Sequence, residues 1–83
     1  MIKIYSKPNC NHCIQAENWL TRHQFSYHKV DITQDQIALS FLKQQGHKSV
    51  PQLYIGGKLL PGGNAGLQSL SPEKLQEIIH VSH

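Results

Sequence analysis

In the first half of the chain, segments with the hydrophobic period of a strand alternate with segments that have the period of a helix. Apolar and polar residues alternate over residues 2–5 and contribute again over 25–32, which predicts two strands. Apolar residues recur at helical spacing over 11–22 and over 35–45, and Gly46 suits the end of the second of these helices. The pattern therefore predicts the order β-α-β-α for this half.

The second half opens with the pattern of a β-hairpin. Short strands are predicted at 52–55 and 58–60, and Gly56-Gly57 between them is a two-residue turn of the kind that joins antiparallel strands. A loop at 61–63 follows the second of these strands. The hairpin therefore adds two antiparallel strands to the predicted fold.

Two helical segments are predicted after the hairpin. Asn64 is expected to cap a short helical turn that runs through Leu70. Ser71-Pro72-Glu73 starts a last helix that ends near His80, and His83 is expected to lie just beyond that end.

The order β-α-β-α-β-β-α restricts the architecture. A strand-helix-strand unit requires a parallel pair with a right-handed crossover, whereas the hairpin requires antiparallel strands. We therefore expect an α/β fold with a four-stranded mixed sheet flanked by helices, which is the thioredoxin-like architecture. Because 83 residues cannot build two hydrophobic cores, residues 1–83 are expected to form a single domain.

Composition and charge narrow the classes of function. Lys and Arg total 8 against 5 Asp and Glu, a net charge of +3 with the 6 His counted as neutral, and the basic residues form no run. We therefore expect no nucleic-acid partner. No stretch approaches the roughly 18 apolar residues of a membrane helix, and the N-terminus is too short and polar for a signal peptide. A cytoplasmic monomer without a membrane partner is the expectation.

Cys10 and Cys13 lie where the first strand gives way to the first helix. The free N–H groups of a helix N-terminus stabilise an anion, so we expect a lowered thiol pKa at Cys10, with further positive charge from Lys7. Cys13 falls in the first turn, where it is more shielded but within reach of the Cys10 sulfur. One thiolate can then attack a disulfide while the other resolves the mixed disulfide.

A second signal is the run Ser49-Val50-Pro51-Gln52, directly before the first hairpin strand. A proline that opens a strand donates no hydrogen bond to the sheet. If the peptide bond before Pro51 is cis, the backbone of Val50 is presented beside the dithiol and can pair with an extended substrate.

With these residues the chain resembles a dithiol glutaredoxin over nearly all of its length. The motifs that carry the resemblance are Tyr-Ser-Lys-Pro-Asn-Cys-Asn-His-Cys at 5–13, Ser49-Val50-Pro51-Gln52, and Gly62-Gly63 after the hairpin. The resemblance implies a glutathione-dependent oxidoreductase that reduces protein disulfides and protein–glutathione mixed disulfides. It also implies glutathione as a co-substrate, no permanently bound cofactor or metal, and ribonucleotide reductase as a further candidate partner.

The resemblance also implies which residues bind glutathione. Lys7 would engage the glycine carboxylate, the backbone of Val50 the cysteine portion, and the segment after Gly62 the γ-glutamyl end. The full implied set is Lys7, His12, Ser49, Val50, Pro51, Gly63, Asn64 and Ala65.

Three departures from the glutaredoxin pattern affect the expected glutathione binding and the reduction potential of the dithiol. Asn11 and His12 replace the usual Pro and Tyr, and Asn64-Ala65-Gly66 stands where an Asp is expected to pair with the glutathione ammonium. Loss of that charged partner weakens binding by ~1–3 kcal/mol if nothing substitutes for it. A protonated His12 near Cys10 would stabilise the thiolate and raise the reduction potential. The alternative is a solvated imidazole that only fills the tyrosine position.

Other functions share parts of the pattern. A glutaredoxin-like redoxin that is reduced by thioredoxin reductase and serves ribonucleotide reductase fits the missing Asp, although its W-S-G-F segment is absent. A copper-chaperone-like C-x-x-C module would require the order β-α-β-β-α-β. A zinc site would need a fourth ligand at a familiar spacing, and an iron–sulfur carrier typically has C-G-F-S. The electron donor therefore stays open between glutathione and thioredoxin reductase.

Overall fold

The computed structural model describes residues 1–81, over which strands and helices follow in the order β-α-β-α-β-β-α-α. His83, predicted to lie beyond the last helix, is outside the described residues. The elements are β1 (Ile2–Ser6), α1 (Asn11–Arg22), β2 (Tyr27–Asp31), α2 (Gln36–Gln44), β3 (Gln52–Ile55), β4 (Lys58–Leu60), α3 (Gly63–Gln68) and α4 (Pro72–Val81).

The strands form one mixed sheet in the order β2-β1-β3-β4. β1 pairs with β2 in parallel and with β3 antiparallel, so that Ile4 lies between Lys29 and Leu53. β4 pairs with β3 antiparallel and places Leu60 opposite Leu53. The predicted thioredoxin-like, four-stranded mixed sheet with flanking helices is confirmed.

Side chains along β1 point alternately to the two faces of the sheet, and each face carries its own hydrophobic cluster. Ile2 and Ile4 belong to the larger cluster, together with side chains from α1, α3 and α4. Tyr5 points to the other face and packs with Ala38 and Leu42 of α2. The members of the larger cluster are Ile2, Ile4, Ala16, Trp19, Leu20, Leu53, Ile55, Leu60, Leu67 and Leu75. Helices pack on both faces of β1, and four residues separate its end from the start of α1.

The limits of α2 follow from local hydrogen bonds. Asp35 caps its start, since the carboxylate accepts the N–H of Ala38 at 3.0 Å. Gly46 follows its end with φ +81°, and the N–H of His47 reaches back to the carbonyl of Leu42 at 3.0 Å. The predicted role of Gly46 at the end of this helix is confirmed.

Two of the predicted boundaries are wrong. The second strand begins at Tyr27 rather than at 25, because Phe25 donates its N–H to the carbonyl of Leu20 at 2.8 Å and stacks on Trp19. Asn64 does not cap α3. The cap is Gly62, whose φ of +90° suits glycine, and Asn64 lies inside the helix with a buried side chain.

Candidate active site

Cys10 occupies the N-cap position of α1. Its backbone is extended, with φ −112° and ψ 106°, so the sulfur turns back over the first turn and accepts the N–H of Cys13 at 3.2 Å. Cys10 and Cys13 are both free thiols. A thiolate accepts such a bond more strongly than a thiol does, so the geometry favours chemistry at Cys10.

Cys13 is the more enclosed of the two thiols. It exposes 1% of its surface, against 9% for Cys10. Burial, and then the hydrogen bond with Cys10, raise the pKa of Cys13 from 9.0 to about 11, although a backbone hydrogen bond from Lys7 lowers it. Cys13 is therefore protonated at neutral pH, and Cys10 is the residue placed to attack first.

This difference predicts selective alkylation of the reduced protein. At pH 8 a thiol of pKa about 11 is ionised to roughly one part in a thousand, so iodoacetamide is expected to modify Cys10 and spare Cys13. Because the thiolate is the reactive form, reaction at Cys13 should rise as the pH approaches 11. Peptide mass spectrometry of timed samples measures both rates. Equal modification of the two thiols at pH 8 would contradict this order.

A groove of about 490 Å³ runs beside the dithiol. The thiol of Cys10 lies 3.9 Å from the carbonyl oxygen of Val50, and the peptide bond between Val50 and Pro51 is cis. The groove brings together seven of the eight residues implied for glutathione: His12, Ser49, Val50, Pro51, Gly63, Asn64 and Ala65.

Lys7, the eighth residue, lines a second cavity of about 190 Å³. His47, Ser49 and Val50 line both cavities. Sequence reasoning did not find the other residues that α2 and the following loop contribute to this second cavity, which are Leu39, Leu42, Lys43, His47 and Lys48.

Asn64 ties α3 to α1 beneath the groove. Its Nδ2 donates to Oε1 of Gln15 at 2.9 Å, and its Oδ1 accepts from Nε2 of Gln68 at 3.2 Å. The residue is 8% exposed. Its amide is therefore engaged within the protein, and Gln15 is a supporting residue that the sequence did not single out.

The exposed His12 lies at the groove, with Nδ1 3.5 Å from Nδ2 of Asn64. Its influence on the dithiol stays a prediction: His12→Tyr should make the protein more reducing. We expect a shift of order 10 mV, because exposed charges interact by less than about 1 kcal/mol and 30 mV corresponds to about 1.4 kcal/mol. Equilibration with a glutathione redox buffer measures the potential, and an unchanged equilibrium would exclude this tuning.

The segment from Pro61 to Ala65 lines the groove, and the backbone around it is closely packed. A Cβ on Gly63 would lie 2.8 Å from the carbonyl oxygen of Pro51, and one on Gly66 would overlap the carbonyl of Pro61. Glycine therefore lets the start of α3 approach the strand-opening proline and fold back on its own loop.

Gly66→Ala should therefore lower the free energy of unfolding by about 3 kcal/mol, since the added methyl group must displace backbone. Gly46→Ala is the matched control: its φ of +81° is strained for alanine, but its methyl group meets nothing within 4 Å, so about 1 kcal/mol is expected. Urea denaturation measures both. A Gly66 variant no less stable than the Gly46 variant would contradict the packing argument.

Residues 1–81 contain neither a metal-ligand cluster nor a membrane-spanning helix. No group of three or more His, Cys, Asp or Glu side chains is placed there to hold a metal ion. None of the helices in that range is long and apolar enough to cross a membrane.

Comparison with known proteins agrees with the fold and the dithiol. The family model of glutaredoxins matches residues 2–60. The hybrid peroxiredoxin hyPrx5 of Haemophilus influenzae is 32% identical over 63 residues, which are 76% of this chain but 26% of that longer protein. The chain thus spans about a quarter of that relative. The glutaredoxin-like protein NrdH of Lactococcus lactis is 26% identical over 51 residues, 61% of this chain and 71% of that protein.

A solved structure gives the same picture in three dimensions. A buckwheat glutaredoxin in complex with glutathione superposes with a TM-score of 0.69 at 25% identity, covering 96% of this chain and 72% of that one. The family match spans the dithiol and the Val50-Pro51 segment. The chain therefore belongs to the glutaredoxin family of thioredoxin-like oxidoreductases.

Proposed function

We propose that this protein is a glutathione-dependent thiol–disulfide oxidoreductase that reduces protein disulfides and protein–glutathione mixed disulfides. The observation that carries the proposal is the position of the Cys10 sulfur, 3.9 Å from the carbonyl of Val50 at the edge of the 490 Å³ groove. A groove of this volume is within the range of small-molecule sites. The glutaredoxin solved with glutathione supports the same ligand class.

Removal of glutathione from a protein needs only Cys10. Its thiolate attacks the glutathionyl sulfur, the sulfur–sulfur bond to the target protein breaks, and the target leaves as a thiolate that takes up a proton. Cys10 then carries glutathione in a new disulfide. A second glutathione thiolate attacks that glutathionyl sulfur, releases oxidised glutathione and restores Cys10.

Reduction of a protein disulfide needs both thiols. Cys10 first forms a mixed disulfide with the target, and Cys13 then loses its proton and attacks the Cys10 sulfur. The target leaves with both of its sulfurs reduced, and two glutathione molecules reduce the disulfide between Cys10 and Cys13. The backbone N–H of Cys13 donates to the Cys10 sulfur at 3.2 Å. Cys13 therefore already lies beside the sulfur that its own thiol must attack.

Within this proposal glutathione is a co-substrate, and no cofactor or metal is bound permanently. The protein acts as a cytoplasmic monomer, and its partners are disulfide-containing or glutathionylated proteins rather than nucleic acid or membrane. The carboxylates of glutathione suit Lys7, which lines the cavity beside Val50.

A second candidate is a redoxin reduced by thioredoxin reductase that donates electrons to ribonucleotide reductase. The observation in its favour is Ala65, which lines the groove where a glutaredoxin is expected to hold an Asp. The NrdH protein of L. lactis, 26% identical to this chain, adds support for that class.

A coupled assay separates the two candidates. NADPH oxidation is followed with a mixed disulfide substrate, once with glutathione and glutathione reductase and once with thioredoxin reductase alone. We expect sustained turnover with the glutathione system and little with thioredoxin reductase. Turnover with thioredoxin reductase alone would replace the proposal with the second candidate, and turnover with neither would reject both.

A further inference from the structure

The two cavities beside Cys10 share His47, Ser49 and Val50 in their walls, and together they are called the trough. Five residues that carry or can acquire positive charge line this trough: Lys7, His12, Lys43, His47 and Lys48. No Asp or Glu occurs among the lining residues of either cavity. The trough is therefore suited to a ligand that carries several carboxylates.

The end of the trough beside α3 offers no carboxylate partner for an ammonium group. Ala65 presents a methyl group there, and the Asn64 amide is already bonded to Gln15 and Gln68. The ring of His12 lies beside Asn64 and repels a cation whenever it is protonated. An ammonium bound at this end would meet no counter-charge from the groove lining.

His47 lines both cavities and contacts Tyr54. Its Nε2 lies 2.8 Å from the hydroxyl oxygen of Tyr54, and the two rings meet edge to face at 6.1 Å. Burial raises the pKa of Tyr54, so the phenol stays neutral and adds no negative charge to the site. Lys7, His47 and His12 thus place positive or hydrogen-bonding groups in the walls of both cavities.

We propose that the trough recognises the carboxylates of its thiol substrate and makes no use of an ammonium group. The substrate class is acidic thiols and their disulfides, with or without a free amine, so that deaminated glutathione serves as well as glutathione itself. This inference rests on the proposed function, because it concerns the docking of the thiol that Cys10 attacks.

The step to be measured is a single exchange. The Cys10 thiolate attacks the peptide sulfur of a mixed disulfide between the peptide and 2-mercaptoethanol. The bond between those two sulfurs breaks, mercaptoethanol leaves as a thiolate that takes up a proton, and the peptide is joined to Cys10 by a new disulfide. Cys13→Ser stops the reaction at this stage, so that intact mass spectrometry of quenched samples gives the rate.

Three peptides and three proteins make the comparison. The peptides are glutathione, its analogue with hydrogen in place of the amine, and its analogue with a primary amide in place of the glycine carboxylate. Each reacts with Cys13→Ser alone and with Cys13→Ser carrying Ala65→Asp or Ala65→Asn. Asp and Asn have nearly the same shape and differ in charge, and residue 65 is exposed, so both fit without repacking.

We expect the deaminated peptide to react with Cys13→Ser within about twofold of glutathione, and the amide analogue to react about tenfold more slowly. Ala65→Asp should create a preference for glutathione over the deaminated peptide of about fivefold or more, and Ala65→Asn should not. A deaminated peptide that reacts tenfold more slowly than glutathione with Cys13→Ser would overturn the inference alone. The mixed disulfide of cysteine with 2-mercaptoethanol is the reference substrate. If none of the three peptides reacted faster than this reference, the proposed use of glutathione would be rejected instead.

Discussion

Cys10→Ser is expected to lose both reactions, the removal of glutathione from proteins and the reduction of protein disulfides, by at least about 1,000-fold. A serine hydroxyl stays protonated near neutral pH and cannot form the mixed disulfide on which both reactions depend. Cys13 cannot take over, because it is 1% exposed and burial raises its pKa to about 11. The loss should therefore be complete rather than partial.

The fold of this variant should be intact, so that the loss can be assigned to chemistry. A serine oxygen at position 10 can still cap α1 by accepting the N–H of Cys13, as the sulfur does now. Circular dichroism and urea denaturation check this, and Gly46→Ala serves as an active control of modestly reduced stability. Retention of more than about 1% of either activity by a folded Cys10→Ser protein would show that Cys13 can attack on its own.

Cys13→Ser is expected to separate the two reactions. Removal of glutathione should stay within about threefold of the unmodified protein, since only Cys10 takes part in it. Reduction of a protein disulfide should fall by at least about 100-fold, since no second thiol resolves the mixed disulfide. The hydrogen bond to the Cys10 sulfur comes from the backbone N–H of residue 13 and survives the substitution.

The two activities are measured with a glutathionylated peptide and with a small protein that carries one disulfide, in the same buffer and at the same glutathione concentration. Burial of a serine hydroxyl without a partner costs about 1–3 kcal/mol, so the assay temperature must lie well below the unfolding midpoint. If removal of glutathione were lost and disulfide reduction retained, the assigned roles of Cys10 and Cys13 would be reversed.

Local sequence patterns were sufficient to predict the strands and the helix that position the dithiol. The alternation at residues 2–5, the helical spacing after Asn11 and the turn at Gly56-Gly57 are each confirmed. In these places the hydrophobic period and the turn chemistry agree with the final packing. Cys10 is therefore found at a helix start from the sequence alone.

The groove walls depend on contacts that local rules do not contain. Asn64 has a good capping side chain, but Gly62 adopts the left-handed conformation two residues earlier, and Asn64 turns inward to Gln15, 49 positions away along the chain. Gly66 carries no turn or capping signal, because its requirement comes from the carbonyl of Pro61 in the same loop. Long-range packing decides the position of Asn64 and the fold of the loop decides that of Gly66, and neither contact can be predicted from the residue types alone.

The same limit applies to the charge of the trough. Lys43 and Lys48 are ordinary surface residues in the sequence, and they line the cavity with Lys7 only because α2 packs across β1 and ends beside Val50. This arrangement extends the predicted role of Lys7 to a larger basic surface.

The docking of glutathione between Cys10 and the groove is tested most directly by nuclear magnetic resonance of ¹⁵N-labelled Cys13→Ser. The protein is compared before and after oxidised glutathione places one glutathionyl group on Cys10. The proposed function predicts that the largest changes in amide shift, outside the immediate neighbours of Cys10, occur at Val50 and at Gly63 to Ala65. Changes confined to the residues next to Cys10 in the chain would contradict it, because the bound glutathione would then lie in solvent and not along the groove.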